Sequence, residues 1–413
     1  MKRSPLYTIL IVAFVDLMSF GLIIPLQAVY ADRLGASGLT LGLLIGVYAL
    51  MQLVFNPILG RWSDRVGRRR VLLISVAGSV LSHVLLGVAD LTVSLPLLFA
   101  ARTLDGVTGA NVATAQAYIA DVTTADDRAR GLGLFGAAFG LGFVLGPAFG
   151  AALAFAGKVV SGERYGTAWP AFGAATISLA ALLLVWRVLP ESLPMPNGSR
   201  RRFSVLSLRQ FKTIVNHVRL RELFVLTFGS ICAFVLLEVT FVYLCMHEFG
   251  ISATGTGLIF AYVGIMMAAV QGGLIGRLVR RFGEPALVAN GPFITAVGFV
   301  VLSLVPVVGG RSAAWALLLI GCLPVALGHG LTGPSLNALI SRQAEEARQG
   351  ETLGVLQSIG SLARALTPPI GGLLYDVGPS WPYWIGAVIL CLVGMFAVSV
   401  RPLQQASVVG HRG

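Results

Sequence analysis

Gly60-Arg61-Trp62-Ser63-Asp64-Arg65-Val66-Gly67 follows an apolar run that begins near Leu39, and Gly276-Arg277-Leu278-Val279-Arg280-Arg281-Phe282-Gly283 follows another that begins near Gly255. Both octapeptides open on Gly-Arg and close on glycine. Two more pairs keep nearly the same separation. Gly106-Val107-Thr108-Gly109 answers to Gly330-Leu331-Thr332-Gly333, and Leu145-Gly146-Pro147-Ala148-Phe149-Gly150 to Thr367-Pro368-Pro369-Ile370-Gly371-Gly372. Gly-Pro and Gly-Gly pairs recur by chance in apolar helices, so no single match decides anything. Their shared offset marks an internal duplication.

The residues around these motifs are too apolar for a soluble chain. Of 413 residues 56% are hydrophobic and 12% charged, with a mean hydropathy of +0.84, whereas soluble domains carry about 25% charged residues. Disorder is excluded as well, because it needs low hydrophobicity and dense charge. A helix crosses the bilayer in about 20 apolar residues, and twelve stretches qualify. They run approximately over 6–30, 39–60, 71–89, 94–119, 131–156 and 168–188 before the basic stretch Pro190 to Arg221, and over 223–246, 255–278, 285–305, 313–340, 353–375 and 381–400 after it. Each is continuously apolar, where a barrel strand would alternate over about 10 residues. The sequence therefore predicts an all-α membrane protein with twelve transmembrane helices in two six-helix pseudo-repeats. One bundle covers residues 1–189, a cytoplasmic basic linker 190–221, and the second bundle 222–413 with a short tail. Such a repeat puts a binding site near the midplane and lets one half rock against the other.

Basic residues orient the chain. With the amino terminus cytoplasmic, 24 of the 30 Lys+Arg fall on cytoplasmic segments; Arg33, Lys158, Arg164 and Arg311 lie outside, and Arg102 and Arg364 lie inside helices. The positive-inside rule puts both termini in the cytoplasm and the protein in the inner cell membrane. The net charge of +12 then needs no nucleic-acid partner, since Arg200-Arg201-Arg202 reads as a run facing anionic lipid. The first stretch carries Asp16, is long for a leader and precedes further spans, so it reads as a true helix. Cys232, Cys245, Cys322 and Cys391 all sit in apolar segments without Cys-x-x-Cys spacing, which implies neither a disulfide framework nor a metal site.

Three acids lie well inside spans: Asp16, Asp105 and Glu238. A charge at the bilayer centre costs about 2.5–3.5 kcal/mol on insertion scales, so such residues are functional candidates. Asp16 and Glu238 have the same spacing as Leu145 and Thr367, which is the repeat offset, and each is far from both ends of its helix. Burial disfavours a charged carboxyl, and two acids in one cavity disfavour it further, so one of them can take up and release a proton near neutral pH. The competing reading of Glu238 is a packing hydrogen bond. Arg102 and Asp105, three apart, share a helix face and can pair. Arg364 can face a cavity, snorkel or pair with a helix terminus. His83 and His329 are candidate proton carriers, though a solitary intramembrane histidine reads better as a neutral hydrogen-bonding group. Gln27 lies three helical turns beyond Asp16 on the same face. With Asn111, Gln116, His329, Asn337 and the aromatic residues Phe20, Phe234, Phe241 and Tyr243 it makes up the expected substrate cavity.

The motifs also resemble a known family. Gly60 through Arg69 is similar to the G-x-x-x-D-R-x-G-R-R signature of the major facilitator superfamily, Arg102-Thr103-Leu104-Asp105-Gly106 to its span-four arginine motif, and Gly142, Gly146, Pro147 and Gly150 to its span-five antiporter motif. Asp16 with Phe20-Gly21-Leu22-Ile23-Ile24-Pro25 resembles the first span of the twelve-span drug/proton antiporters. Gly106-Val107-Thr108-Gly109-Ala110 and Ala117-Tyr118-Ile119-Ala120-Asp121 bring the tetracycline/proton antiporters nearest. The resemblance implies the major facilitator fold, with spans one, four, seven and ten around a central cavity. It also implies proton coupling through Asp16, Arg102, Asp105 and Glu238. Gly60, Asp64, Arg65, Gly67 and Arg68 would form a tight cytoplasmic turn that latches the domains, or one that only anchors anionic lipid; Arg280 opposite Asp64 makes the latch asymmetric. Two positions depart from the tetracycline pattern. Ser82-His83 replaces an acid in span three, and the ninth stretch, Pro285 to Val305, has no Asp or Glu. An amphipathic or cationic organic substrate is expected rather than a magnesium-chelated tetracycline.

The reading that gathers these features is a proton-coupled antiporter exporting small organic compounds by alternating access, a monomer driven by the proton gradient with no cofactor. Export of an endogenous metabolite, sugar or lipid, uniport and symport remain open on sequence, and a membrane sensor or enzyme is a remote alternative. No His-Glu-x-x-His, Gly-x-Ser-x-Gly or Walker sequence occurs.

Overall fold

The computed structural model describes residues 3–109, 111–123, 125–192, 218–251, 253–343 and 349–400. Most of the expected basic linker, including Arg200-Arg201-Arg202, and the carboxyl-terminal tail lie outside the described residues. The described chain is helical, with no strand. Its helices are α1 (Arg3–Arg33), α2 (Gly38–Val66), α3 (Arg68–Thr92), α4 (Leu95–Thr108), α5 (Asn111–Val122), α6 (Ala125–Gly166) and α7 (Trp169–Val188), then α8 (Val218–Phe249), α9 (Ala253–Ala269), α10 (Ile275–Ser303), α11 (Arg311–Gln343), α12 (Gln349–Val377) and α13 (Trp381–Ser399). A π-helical segment, Val270–Leu274, joins α9 to α10. Among the described residues nine helical stretches are long and apolar enough to cross a membrane.

The duplication is visible in the backbone. α2 ends and α3 begins at Gly67, whose φ of 103° only glycine adopts without strain. The helix that continues from α9 breaks inside α10 at Gly283, φ 77°, the last residue of the second octapeptide as Gly67 is of the first. This narrows the expected turn: Gly60 to Val66 are helical, so the reversal takes one residue. A Cβ at Gly67 would also strike the Glu191 carboxylate. One expected span is divided. The stretch from Ser94 to Ile119 forms α4 and α5 because the chain leaves helical geometry at Gly109, whose N–H turns back to Gly106 O at 3.3 Å.

Proline interrupts several helices without ending them, as at Pro57 in α2 and Pro147 in α6, and membrane helices tolerate this. With Gly60 aligned on Gly276, the equivalent of Pro57 is Gly273, inside the π-helical segment.

Residues Met1–Ala36, Val47–Val205 and Ile251–Ala261 group into one compact unit; Ser37–Gly46, Leu206–Gly250 and Tyr262–Gly413 group into another. In the first unit the small residues of α6 set its approach to α1. A Cβ at Gly146 would stand 2.7 Å from Leu22 N and Met18 O, and one at Gly142 would stand 3.0 Å from Met18 N. With Pro147 and Gly150, all buried, they form the face that locks α1, the helix carrying Asp16. In the second unit α12 meets α8 less tightly: a Cβ at Gly371 would stand 3.1 Å from Leu236, and one at Gly360 3.4 Å from Ile231.

Gly146→Ala forces α6 off the α1 backbone and is expected to cost about 1–3 kcal/mol. Gly136→Ala, on the same helix with nothing within 4 Å of its Cβ, leaves stability unchanged or raised. Thermal unfolding of the two variants in detergent checks the difference.

Candidate functional site

In the first unit α1 presents Asp16, half-buried, to α5. Asn111 Nδ2 donates to both Asp16 carboxylate oxygens, at 2.9 and 3.0 Å, and lies 3.2 Å from Ser79 Oγ on α3. Among the described residues no cation reaches this carboxylate. It borders a cavity of about 10 Å³, room for about one water. Asn111, expected among substrate contacts, is thus the partner of the acid.

Arg102 and Asp105 pair as their spacing predicts, Nη1 to Oδ2 at 2.8 Å, with side chains 1% and 8% exposed. The guanidinium also lies 4.1 Å over the Tyr48 ring of α2, and Phe20 of α1 stacks on that ring at 5.6 Å. A chain of contacts therefore joins α1, α2 and α4. Gln116 is half-buried on α5. Gln27 is 3% exposed, with Oε1 enclosed and without a hydrogen-bond partner among the described residues. His83 is buried, its Nδ1 3.2 Å from Ser178 Oγ, in keeping with a hydrogen-bonding role.

The Gly60-to-Arg69 motif is a knot around Arg68, which is 5% exposed. Arg68 Nη1 meets Asp64 Oδ1 at 2.5 Å and donates to Ser63 Oγ at 2.6 Å, while Nε meets Asp121 Oδ2 on α5 at 3.1 Å. Glu191 accepts from the Arg68 backbone N–H at 2.8 Å and so caps α3. Arg65 is exposed and Gly60 half-buried. The sequence reading passed over Asp121 and Glu191 as partners; both lie too far along the chain from Arg68 to leave a local pattern. At the position equivalent to Arg68 the second unit has Glu284, paired with Arg342 at 2.6 Å. There the paired charge is an acid in place of a cation.

A further cluster was also missed. Arg33 Nη1 donates to Asp90 Oδ1 at 2.6 Å, and Thr167 Oγ1 to Asp90 Oδ2 at 2.6 Å. Arg33 reaches Thr167 Oγ1 as well, and Tyr30 donates to Thr167 O at 2.8 Å. These contacts tie the ends of α1 and α3 to the start of α7.

In the second unit Glu238 of α8 faces Arg364 of α12, Oε2 to Nη1 at 3.9 Å. One turn before Glu238 on α8, Phe234 stacks on His329 of α11, with ring centroids 3.8 Å apart and planes 11° from parallel. Asn337 is exposed. Phe241 and Tyr243 are each 2% exposed. Every residue from Val239 to Cys245 is buried, so this part of α8 is enclosed on all sides and its aromatic residues are core.

The sequence model of the Major Facilitator Superfamily matches residues 9–366 and, in a second match, 223–412. The chain belongs to this superfamily and is a multi-pass membrane protein. It is 30% identical over 417 residues to the tetracycline resistance protein, class C, of Escherichia coli, with 98% of each chain covered. It is 28% identical over 389 residues to multidrug resistance protein 2 of Bacillus subtilis (strain 168), covering 92% of this chain and 91% of that one. The solved structure of a D-xylose-proton symporter is similar in fold, with a TM-score of 0.73 at 18% identity over 96% of this chain and 98% of that one.

Asp121→Asn removes one of the two carboxylates that hold the buried Arg68 and is expected to cost about 1–3 kcal/mol. A lowered unfolding temperature and faster proteolysis just beyond Glu191 are the readouts.

Proposed function

We propose that this chain is a proton-coupled antiporter that exports small amphipathic or cationic organic compounds across the inner cell membrane, with both termini cytoplasmic. It works as a monomer, without a cofactor, and performs no enzymatic reaction. One observation carries the reading: among the described residues Asp16, in mid-helix, is held by a neutral amide and by no cation, whereas Asp105 pairs with Arg102 at 2.8 Å and Glu238 faces Arg364 at 3.9 Å. A carboxylate there stays charged only at a cost. A proton or a positively charged substrate relieves that cost, and the two exclude each other. The printed names of relatives at 28% and 30% identity, resistance proteins for tetracycline and for multiple drugs, support export of xenobiotic compounds.

The cycle follows from that exclusion. Substrate enters from the cytoplasm while Asp16 is ionised, the protein turns outward, an external proton neutralises the carboxyl and loosens the substrate, and the protonated carrier returns. One proton crossing about 100 mV yields about 2.3 kcal/mol, and one pH unit about 1.4 more, together enough for a gradient of a few hundredfold. Asn111 orients the carboxyl between protonation events. The Arg102–Asp105 pair fixes α4 beside it, and the Arg68 knot stabilises the inner end of the first unit.

Purified protein in liposomes with an entrapped pH dye is expected to move protons on addition of ethidium or rhodamine 6G. Asp16→Asn brings that signal to background while Asp105→Asn and Glu238→Gln retain part of it. Undiminished proton movement in Asp16→Asn would transfer the carrier role to another acid.

A further inference from the structure

Two kinds of exposed residue occur on α12. Leu362, Leu366, Ile370, Leu373 and Val377 are all exposed and recur every three or four residues, so they form one apolar stripe. Arg364, its side chain 47% exposed, is not on that stripe. At about 100° per residue it points about 160° away from both Leu362 and Leu366, on the side that also exposes Gln357, two turns earlier. Arg364 stands at the middle of α12, which runs from Gln349 to Val377. The guanidinium is thus accessible on the side of α12 opposite its exposed apolar residues.

The one ion pair of Arg364 among the described residues is loose. Glu238 stands at 3.9 Å, beyond the roughly 2.7–2.9 Å of a charge-assisted hydrogen bond, and no hydrogen bond to the guanidinium is formed within the described residues. Most of its five N–H donors are therefore available. One turn along α8 from Glu238, the parallel stack of Phe234 on His329 supplies a flat aromatic surface, with both rings half-buried.

We infer that Arg364, with the Phe234–His329 stack beside it, is an acceptor site for the carboxylate of an aromatic acid or zwitterion, and that Glu238 is the internal carboxylate which such a ligand displaces. The guanidinium offers two parallel N–H donors to a ligand carboxylate, the geometry that Glu238 does not reach. Glu238 then stands as a competitor in place of a second proton carrier, and the displaced acid is left to a proton or to the ligand's own cationic group. The transport reading supplies the setting for this inference. Equilibrium binding without any gradient tests it separately, so antiport can fail while the site stands, and the reverse.

The probes are rhodamine 110, a xanthene dye with a free aromatic carboxyl, and rhodamine 123, its methyl ester. Their binding to the full-length protein is measured by fluorescence polarisation. Wild type is expected to bind the acid at least about tenfold more tightly than the ester, the lower end of what a hydrogen bond to a charged group contributes. Arg364→Gln weakens the acid about tenfold or more and leaves the ester within about twofold, so retained ester binding reports a folded variant; Arg364→Lys restores part of the preference. Glu238→Gln, which removes the competitor, tightens the acid several-fold and decides the matter should Arg364→Gln unfold. No binding of the acid by wild type, equal losses for both dyes in Arg364→Gln, or an unchanged acid-to-ester ratio in Glu238→Gln would each overturn the site.

Discussion

A charge inside hydrocarbon must be answered, and the organisation of this protein can be traced to how three carboxylates are answered. Asp105 has a full counter-ion at 2.8 Å on its own helix. Glu238 has one at 3.9 Å on a neighbouring helix. Asp16 has, among the described residues, the dipole of an amide. The series runs from a closed pair through an open pair to an unbalanced charge. Reactivity toward an external ion should rise along it, because the energy that an incoming ion relieves is the part the protein has left uncompensated.

Holding an unbalanced acid in place requires rigid support, and backbone packing supplies it. Gly142, Gly146 and Gly150 let α6 lie directly on α1 around Leu17 and Leu22, next to Asp16 in the sequence. Gly106 likewise lets α4 lie against α2, so close that a Cβ there would stand 2.5 Å from Tyr48 O, and this seats Arg102 over the Tyr48 ring. Membrane helices associate through such close contact of small residues, since lipid offers no hydrophobic drive between them. The motifs rich in glycine and the ionisable residues are one arrangement, the first setting the distances at which the second operate.

What the sequence made legible is what repeats or is local. The duplication was readable at Gly67 and Gly283 because both backbones need a positive φ, and Arg102 with Asp105 because three residues on a helix fix their meeting. The break at Gly109 was not readable, since a Gly-x-Thr-Gly sequence also occurs at Gly330 to Gly333 inside an unbroken α11; tertiary packing decides between them. Asp121, Glu191 and Asp90 were overlooked as partners because each meets a cation far away along the chain. The burial of Phe241 was not readable for another reason: an aromatic residue suits a cavity wall and a packed core equally, and hydropathy does not separate the two.

Pro57 and Gly273, the latter inside the π-helical segment, hold equivalent places, each about three helical turns before Gly67 and Gly283. Proline deletes one rung of the helical ladder, and a π-turn stretches the rungs around it. Both lower the local bending stiffness. Duplicate helices have thus acquired a compliant joint at corresponding positions by unrelated chemistry, which makes elasticity at that point, and no particular side chain, the property that the two copies have in common.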